Sequence, residues 1–285
     1  MTVRAAAVQT TATTDRDRNV ERAEALTHAA VRDGAELVVL PELWNVFGTP
    51  AVLRAGAETL DGPTSTWAAT TARGHGIWLL AGSIPEAVEG SSLIHNTSCL
   101  YGPGGERVAT YRKVHLFDND VPGAAYTESA TVSAGDELVT ASACGTKLGL
   151  AICYDLRFPE LFRILALRGA AVFVLPAWFT AVTGRAHWEV LLRARAIENA
   201  CFVVAADQVG TLAAGSGGEV SAYGHSAIVD PWGAVLATAP DGEGHVCADL
   251  DLALVDETRR RLPSLANRRP GVYAWPDAAA RPPSR

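Results

Sequence analysis

Apolar runs of strand length alternate with stretches of helical periodicity along most of the chain, which predicts an α/β fold. The predicted strands are residues 3–8, 37–40, 77–81, 96–101, 107–111, 148–152, 171–175, 201–205, 225–230, 234–238 and 246–250. The predicted helices lie around residues 20–31, 64–73, 161–167, 187–199 and 252–262. In the helix at 187–199 the apolar stripe consists of Val190, Leu191, Ala194 and Ile197. Residues 114–123 and 215–218 carry turn signals and are expected to be loops.

One predicted strand delivers a cysteine to the point where a strand turns into a helix. The apolar run 148–152 leads directly into Cys153, and Pro159 suits the first turn of the helix that follows. The strand at 171–175 completes a crossover unit, and such units present functional residues at the carboxyl ends of their strands. Cys153 therefore occupies a position suited to catalysis, although a lone cysteine more often packs in a core.

A carboxylate and an ammonium occupy similar positions. Glu42 follows the strand at 37–40, and Lys113 follows the hairpin formed by 96–101 and 107–111. A thiol attacks a carbonyl as the thiolate, so it needs a base, and the developing oxyanion needs positive charge or N–H donors. Glu42 could serve as the base, and Lys113 with the backbone N–H of Tyr154 could hold the oxyanion. Taken alone, Glu42 could equally be a cap or an ion-pair partner, and Lys113 a solvated hairpin end.

Composition limits the classes of protein that remain. The chain has 285 residues, 48% of them hydrophobic and 19% charged, which is typical of a globular enzyme, and we favour one domain. A formal net charge of −7 argues against nucleic acid or an anionic membrane as the main partner. We expect a cytoplasmic protein, because the N-terminal apolar run is too short for a signal peptide and no stretch is long enough to cross a bilayer. The sequon at 96–98 is attributed to chance.

Five cysteines without a Cys-x-x-Cys pair fit a reducing compartment and disfavour a zinc or disulfide framework. The histidines that stand near the motifs lack the spacing of a metal site, and we expect no metal and no cofactor. These residues are His115, His187 and His225.

Three segments, in this order, resemble the signature segments of the nitrilase, or carbon–nitrogen hydrolase, superfamily. They are Pro41-Glu42-Leu43, Tyr111-Arg-Lys113-Val-His-Leu-Phe117 and Gly149-Leu-Ala-Ile-Cys153-Tyr-Asp-Leu-Arg-Phe-Pro-Glu160. The resemblance implies a four-layer αββα sandwich, with Glu42 as general base, Lys113 as oxyanion stabiliser and Cys153 as nucleophile. It also implies that Glu128 orients Lys113 and the substrate amide. We expect one domain over residues 1–275, a mobile tail at 276–285, and a homodimer or larger even oligomer.

Details of the motifs narrow the expected substrate. Tyr-Asp follows Cys153, where true nitrilases usually have Trp-Glu, so an amide is favoured over a nitrile. The segments around Lys113 and His187 are most similar to omega-amidases and deaminated-glutathione amidases, which implies hydrolysis of the terminal amide of a small keto-acid amide. Trp178 and Arg185 depart from that branch. We expect Trp178 and Phe179 to bound the pocket and Arg185 to bind a substrate carboxylate, whereas Arg157 could equally be a structural ion pair.

Two alternatives to this amidase remain open. One is an N-carbamoyl-amide hydrolase that releases ammonia and carbon dioxide. The other is a catalytically idle scaffold of the same fold that binds a partner or a metabolite.

Overall fold

The structure, a computed structural model, describes residues 1–213 and 219–273. Two β-sheets form the centre of the molecule. In chain order the strands are β1 (Thr2–Gln9), β2 (Leu37–Val39), β3 (Trp78–Leu80), β4 (Ile84–Ala87), β5 (Ile94–Tyr101), β6 (Arg107–Arg112), β7 (Asp118–Asn119), β8 (Tyr126–Thr127), β9 (Thr140–Ala143), β10 (Thr146–Leu150), β11 (Val172–Ala177), β12 (Phe202–Asp207), β13 (Val209–Ala213), β14 (Glu219–Tyr223), β15 (Ala227–Val229), β16 (Val235–Thr238) and β17 (Gly244–Asp251). The α-helices are α1 (Arg16–Arg32), α2 (Pro50–Ala55), α3 (Pro63–His75), α4 (Pro159–Leu167), α5 (Ala181–Asn199) and α6 (Ala253–Arg261). Short 3-10 helices cover Glu128–Ala130, Cys153–Arg157 and Pro270–Val272.

Each sheet has a parallel centre with antiparallel strands beside it. The seven-stranded sheet has the order β17-β1-β2-β3-β5-β4, with β6 paired to β5, and β1, β2 and β3 run parallel. The six-stranded sheet has the order β16-β15-β12-β11-β10-β9, and β10, β11 and β12 run parallel. Since parallel strands end at the same edge of a sheet, the residues that follow β2 and those that follow β10 lie at such edges.

The sheets pack face to face, and helices cover the outer side of each. One buried cluster contains Val39 and Leu100 of the first sheet together with Leu148 of the second. Helices α1 and α3 pack on the first sheet through a separate apolar cluster, and α4 and α5 pack on the second sheet. This succession of layers confirms the predicted αββα sandwich. None of the helices in the described residues is long and apolar enough to span a membrane.

The hydrophobic pattern placed most of the strands and helices but missed several short ones. The helix α2, the strands β4 and β9 and the hairpin β13–β14 were not predicted. Strand β9 reads Thr-Ala-Ser-Ala, and β4 contains a proline and a glutamate, so neither forms a continuous apolar run. Residues 114–123 are mostly loop as predicted, apart from the short β7–β8 pairing. The predicted loop at 215–218 and the tail at 276–285 lie outside the described residues.

The predicted apolar stripe of the helix at 187–199 is wrong for two of its four residues, whereas Leu191 packs against the core. Helix α5 begins earlier, at Ala181, and Val190 and Ile197 are 66% and 45% exposed. Trp188, Leu192 and Ala196 face the sheet instead.

Arg195 lies on the inner face of α5 with these residues, 5% exposed. Its Nε donates to the carbonyl of Leu156 at 2.9 Å, and its guanidinium lies 5.6 Å from the ring centre of Phe162. A hydrogen bond formed across the fold thus lets a charged residue occupy a face that periodicity assigns to apolar ones.

Candidate active site

Glu42 lies just beyond β2, in a turn that its neighbours hold in place. Leu43 adopts a left-handed conformation with φ 49°, and its N–H donates to Ser83 Oγ at 3.0 Å. Gly82, with φ 55°, passes very close to this turn, since a Cβ there would lie 2.0 Å from the carbonyl oxygen of Pro41. Only glycine fits at that position. The Glu42 side chain therefore extends from a turn with little freedom to move.

Lys113 follows β6 and is clamped between two carboxylates. Its Nζ donates to Glu42 Oε1 at 2.9 Å and to the two carboxylate oxygens of Glu128 at 3.1 and 2.9 Å. The backbone N–H of Phe117 donates to Glu128 Oε2 at 2.7 Å. Burial alone would lower the pKa of Lys113, but the charges of Glu128 and Glu42 outweigh it and hold the pKa well above its ordinary value. Lys113 is therefore a buried ammonium ion at neutral pH.

Asn96 bridges the carboxylates of Glu42 and Glu128, a role that was not predicted from the sequence. It lies in β5, is 1% exposed, and its Nδ2 donates to Glu42 Oε1 at 2.7 Å and to Glu128 Oε1 at 3.4 Å. The sequon that begins at Asn96 is thus buried in the site, which agrees with its attribution to chance. Its partners are 54 and 32 residues away in sequence. The only local signal of a functional role was that a polar residue lies within a predicted strand.

Cys153 opens the 3-10 turn between β10 and α4. Its φ of 45° is left-handed, a conformation that a side chain other than glycine adopts only where the surroundings enforce it. Asp155 supplies much of that support: its Oδ2 accepts the Ile152 N–H at 2.8 Å and the Tyr111 hydroxyl at 2.6 Å. Its Oδ1 accepts the His115 N–H at 3.1 Å. A fully buried carboxylate thus anchors the turn that presents the thiol.

The backbone of Trp178 contacts both the thiol and the carboxylate. The Cys153 Sγ donates to the Trp178 carbonyl at 3.5 Å, and the Trp178 N–H donates to Glu42 Oε2 at 2.8 Å. Burial, and then the charge of Glu42, raise the pKa of Cys153 well above its ordinary value, while Lys113 opposes them. The thiol is therefore protonated at neutral pH, and a base must remove its proton before it can react.

One cavity of about 550 Å³ brings these groups together. Five of the residues singled out from the sequence line it: Glu42, Lys113, Glu128, Cys153 and Trp178. Much of the remaining wall is apolar and includes Leu43, Phe47, Leu53, Ile94, Phe117 and Val132. The ring of Trp178 stacks on Phe47, with 5.0 Å between ring centroids and 11° between planes. Glu42, Lys113 and Glu128 thus form one connected charged cluster in the wall of a largely apolar cavity.

A much smaller cleft adjoins the thiol and shares Cys153 and Trp178 with the large cavity. Tyr154, Phe179 and Arg157 line it. The guanidinium of Arg157 lies 4.9 Å from the ring centre of Phe179 and 5.9 Å from that of Tyr154. Stacking on two rings holds this arginine beside the nucleophile.

Arg185 is not brought to the site. Helix α5 already includes position 185, and there the side chain is exposed and does not line either the large cavity or the small cleft.

The three histidines that were not expected to bind a metal have protein partners. His115 Nδ1 lies 2.7 Å from Asp155 Oδ1, and His187 Nδ1 lies 3.1 Å from Arg157 Nη1. His225 Nδ1 lies 3.2 Å from the carbonyl of Ala239.

Two further residues that sequence reasoning missed lie behind the site. Gln208 donates to the Glu42 carbonyl at 2.6 Å and accepts the Ala12 N–H at 2.9 Å, so it ties together chain segments from both sheets. Asp207 Oδ1 accepts the Phe179 N–H at 2.8 Å, and its other carboxyl oxygen is buried with no partner among the described residues. Burial raises the pKa of Asp207 well above its ordinary value, although the hydrogen bond from the Phe179 N–H opposes this shift.

Comparisons with known proteins agree with this geometry. The carbon–nitrogen hydrolase family model matches residues 4–260. A deaminated glutathione amidase of Synechocystis is 42% identical over 268 residues, which are 93% of this chain and 97% of that protein. The human omega-amidase NIT2 is 39% identical over 272 residues, 95% of this chain and 96% of that protein. The crystal structure of the C. elegans NitFhit protein superposes with a TM-score of 0.87 at 36% identity, over 96% of this chain and 66% of that one. The chain belongs to the carbon–nitrogen hydrolase family, also called the nitrilase superfamily, and is a hydrolase of carbon–nitrogen bonds.

Proposed function

We propose that the protein is a cysteine-dependent amidase in which Glu42, Lys113 and Cys153 carry out the reaction. The observation that carries this proposal is the convergence of a buried carboxylate, a buried ammonium ion and a protonated thiol in one cavity. Glu42 accepts the thiol proton as the Cys153 sulfur attacks the amide carbon. The ammonium of Lys113 and the N–H of Tyr154 stabilise the oxyanion that forms.

The second half of the cycle uses the same groups. Glu42 returns its proton to the amide nitrogen, the carbon–nitrogen bond breaks, and ammonia leaves with the acyl group held on Cys153 as a thioester. A water molecule then attacks the thioester while Glu42 accepts one of its protons, and the thiolate leaves and is reprotonated. The products are a carboxylate and ammonia.

Glu128 acts as a positioning residue in this proposal. It binds Lys113 through two oxygens and is itself fixed by the Phe117 N–H. Lys113 has three ammonium protons, so with Glu42 and Glu128 as partners it can still turn one N–H toward the cavity that it lines.

For the substrate we propose a small omega-amide that bears a carboxylate. The names of the relatives support it, since one is a deaminated glutathione amidase and another an omega-amidase. The residue proposed to bind the carboxylate is Arg157 in place of Arg185, because Arg157 lines the cleft beside Cys153. Among the described residues that line the large cavity there is no arginine. Trp178 and Phe179 then bound the acyl group, as the sequence analysis expected.

The test is ammonia release from matched pairs of short amides, one of each pair bearing a terminal carboxylate and the other neutral, with ureido acids and nitriles included. Arg157→Ala should raise KM for the carboxylate-bearing amide by about tenfold to a hundredfold, because a hydrogen bond to a charged group contributes about 1.5–3 kcal/mol. Arg185→Ala is the matched control and should leave KM unchanged. An equal increase in KM for the neutral amide would show that Arg157 does not act by binding the substrate carboxylate. Carbon dioxide among the products would favour the N-carbamoyl-amide hydrolase.

We further propose a homodimer or larger even oligomer. Six large apolar side chains on α4, on α5 and in the turn after β15 are exposed: Ile164, Leu167, Val182, Val190, Ile197 and Trp232. The Arg193 Nε on α5 donates to the Gly233 carbonyl at 2.9 Å, so this turn packs against the helix. Exposed apolar side chains on adjacent elements are typical of a subunit interface. A mass twice that of the 30.0 kDa chain in light scattering is expected, and a monomeric mass at micromolar concentration would contradict it.

Cytoplasmic location and a single catalytic domain over residues 1–275 remain part of the proposal. All five cysteines are free, which supports a reducing compartment. The family match over residues 4–260 supports one domain.

A further inference from the structure

A cluster of metal-ligand types lies at the edge of the seven-stranded sheet and is not part of the cavity. His245 and Cys247 stand two apart on β17 and so point to the same face of this edge strand. Asp33 caps the carboxyl end of α1 beside them. One ligand atom from each residue, namely a carboxylate oxygen, an imidazole nitrogen and the thiol sulfur, lies within 4.8 Å of the other two.

We propose that Asp33, His245 and Cys247 bind a divalent cation of the Zn²⁺ class. An aspartate oxygen, a histidine nitrogen and a cysteine sulfur are the three ligand types that zinc takes in proteins, and water can complete four-fold coordination. No metal was expected from the sequence, because it has no Cys-x-x-Cys pair and Asp33 lies far from His245 and Cys247 in the chain.

The backbone around the cluster is held on both sides. His245 and Cys247 pair with Val8 and Ala6 of β1, and the Asp33 N–H donates to the Ala29 carbonyl at 3.1 Å. The Asp33 carboxylate lies 2.8 Å from His245 Nε2, so two of the three ligand atoms are already adjacent. The Cys247 sulfur lies within 4.8 Å of both of these atoms.

Arg4 lies next to the cluster without occupying its carboxylate. Its Nε donates to the backbone carbonyl of Asp33 at 2.7 Å, and its Nη1 donates to Asp249 at 2.8 Å. The charge of Arg4 is thus balanced by Asp249, and Asp33 remains available for a cation. In metal sites, hydrogen bonds from residues that are not themselves ligands help to hold the ligand residues in place.

Metal binding requires particular protonation states of His245 and Cys247. His245 binds as the neutral imidazole with its proton on Nδ1, so that Nε2 offers its lone pair. The Cys247 thiol loses its proton to solvent and binds as the thiolate. The metal then connects the end of α1 to the edge strand, and because the cluster does not line the cavity, we expect a stabilising role with no part in hydrolysis.

The test uses the full-length protein and Co²⁺ as a spectroscopic substitute for Zn²⁺. One equivalent of Co²⁺ should produce a sulfur-to-cobalt charge-transfer band, and Zn²⁺ should displace it. Cys247→Ser should abolish the band, and Asp33→Asn, which removes only one ligand on the surface, should weaken binding about tenfold or more. Cys144→Ser is the matched control, because Cys144 is another partly buried thiol, and Cys153→Ala tests the active-site thiol.

Both of these controls should keep the band. Zn²⁺ should raise the Tm of the wild type, should raise that of Asp33→Asn less at the same concentration, and should leave that of Cys247→Ser unchanged. Ammonia release by Cys247→Ser should be unchanged. A band that is absent from the wild type, that survives Cys247→Ser, or that disappears in Cys144→Ser or Cys153→Ala would overturn the proposal. If Cys247→Ser does not fold, unchanged Co²⁺ affinity in Asp33→Asn overturns it equally.

Discussion

Two parts of the wall of the large cavity are built differently. In one part four polar side chains, each at most 4% exposed, hold one another through hydrogen bonds and ion pairs of 2.7–3.4 Å. They are Glu42, Asn96, Lys113 and Glu128, here called the polar cluster. The rest of the wall, here called the apolar wall, consists largely of apolar side chains, with the stacked rings of Phe47 and Trp178 among them.

This contrast indicates where chemistry and selectivity reside. A buried network in which each charge has several partners has little freedom, so a change there alters the reaction itself. Apolar walls fix shape only, and a change there alters which acyl group fits. The predictions below separate these two kinds of effect.

The largest effect is expected for the thiol. Cys153→Ala should abolish ammonia release, because no other group in the proposed mechanism can form the acyl intermediate. The fold should persist, as measured by circular dichroism. Cys99→Ala is the matched control: Cys99 is also buried, with its pKa raised to about 11 by burial, and it does not line the cavity, so activity should remain. Appreciable turnover by Cys153→Ala would show that another nucleophile acts.

The second largest effect is expected for Glu42→Gln. Its kcat should fall by about 10²–10⁴-fold while KM changes much less, because a general base acts in the transition state. The matched control is Glu86→Gln. Glu86 is another buried glutamate, paired with Arg112 at 2.6 Å and absent from the cavity lining, so this change should lower Tm and leave kcat intact. An effect of Glu42→Gln confined to KM would place Glu42 among the groups that only bind substrate.

Trp178→Ala should change selectivity by a smaller factor and leave the chemistry working. Removing the ring opens the wall between Phe47 and Cys153, so kcat/KM should rise for longer acyl groups relative to the shortest amide. The backbone N–H that donates to Glu42 is retained in this variant. The measurement is kcat/KM over omega-amides of increasing chain length. A profile parallel to that of the wild type would show that Trp178 does not limit the acyl group.

The smallest effect concerns the stability of the folded protein and its dependence on Asp207, which binds the Phe179 N–H. The pKa of Asp207 is raised in the folded protein, mainly by burial, so the native state holds a proton that the unfolded chain releases near pH 4. Its contribution is therefore full below that pH and is lost as pH rises toward the folded pKa. Asp207→Asn removes this loss, so the Tm of the variant relative to the wild type should increase as pH rises above about 4. A pH-independent difference would mean that Asp207 is ionised in the native state.

The sequence predicted the polar cluster better than the apolar wall, for physical reasons. Glu42 and Cys153 each follow a buried parallel strand, and apolar runs are the strongest local pattern in an α/β chain. Lys113 follows a hairpin whose loop is rich in glycine. Glu128 was reached only through family resemblance, because its short 3-10 turn has no local pattern.

Features that depend on contacts across the fold could not be predicted. Asn96 is defined by partners that only folding brings together. The early start of α5 was hidden by Gly184, which indicates a helix break in sequence. In the structure this glycine is required by packing, because a Cβ there would lie 2.3 Å from the Tyr223 side chain. The exposed position of Arg185 follows from the same early start.

The most direct test of the central claim is mass spectrometry of the protein quenched during turnover of a slowly hydrolysed omega-amide. The account predicts a mass increase equal to the acyl group on the peptide that contains Cys153, and this adduct should be lost in Cys153→Ala. The account would be contradicted by an acyl group on another cysteine, namely Cys99, Cys144, Cys201 or Cys247. It would also be contradicted if the enzyme turned over with no acyl adduct under conditions where deacylation is rate-limiting.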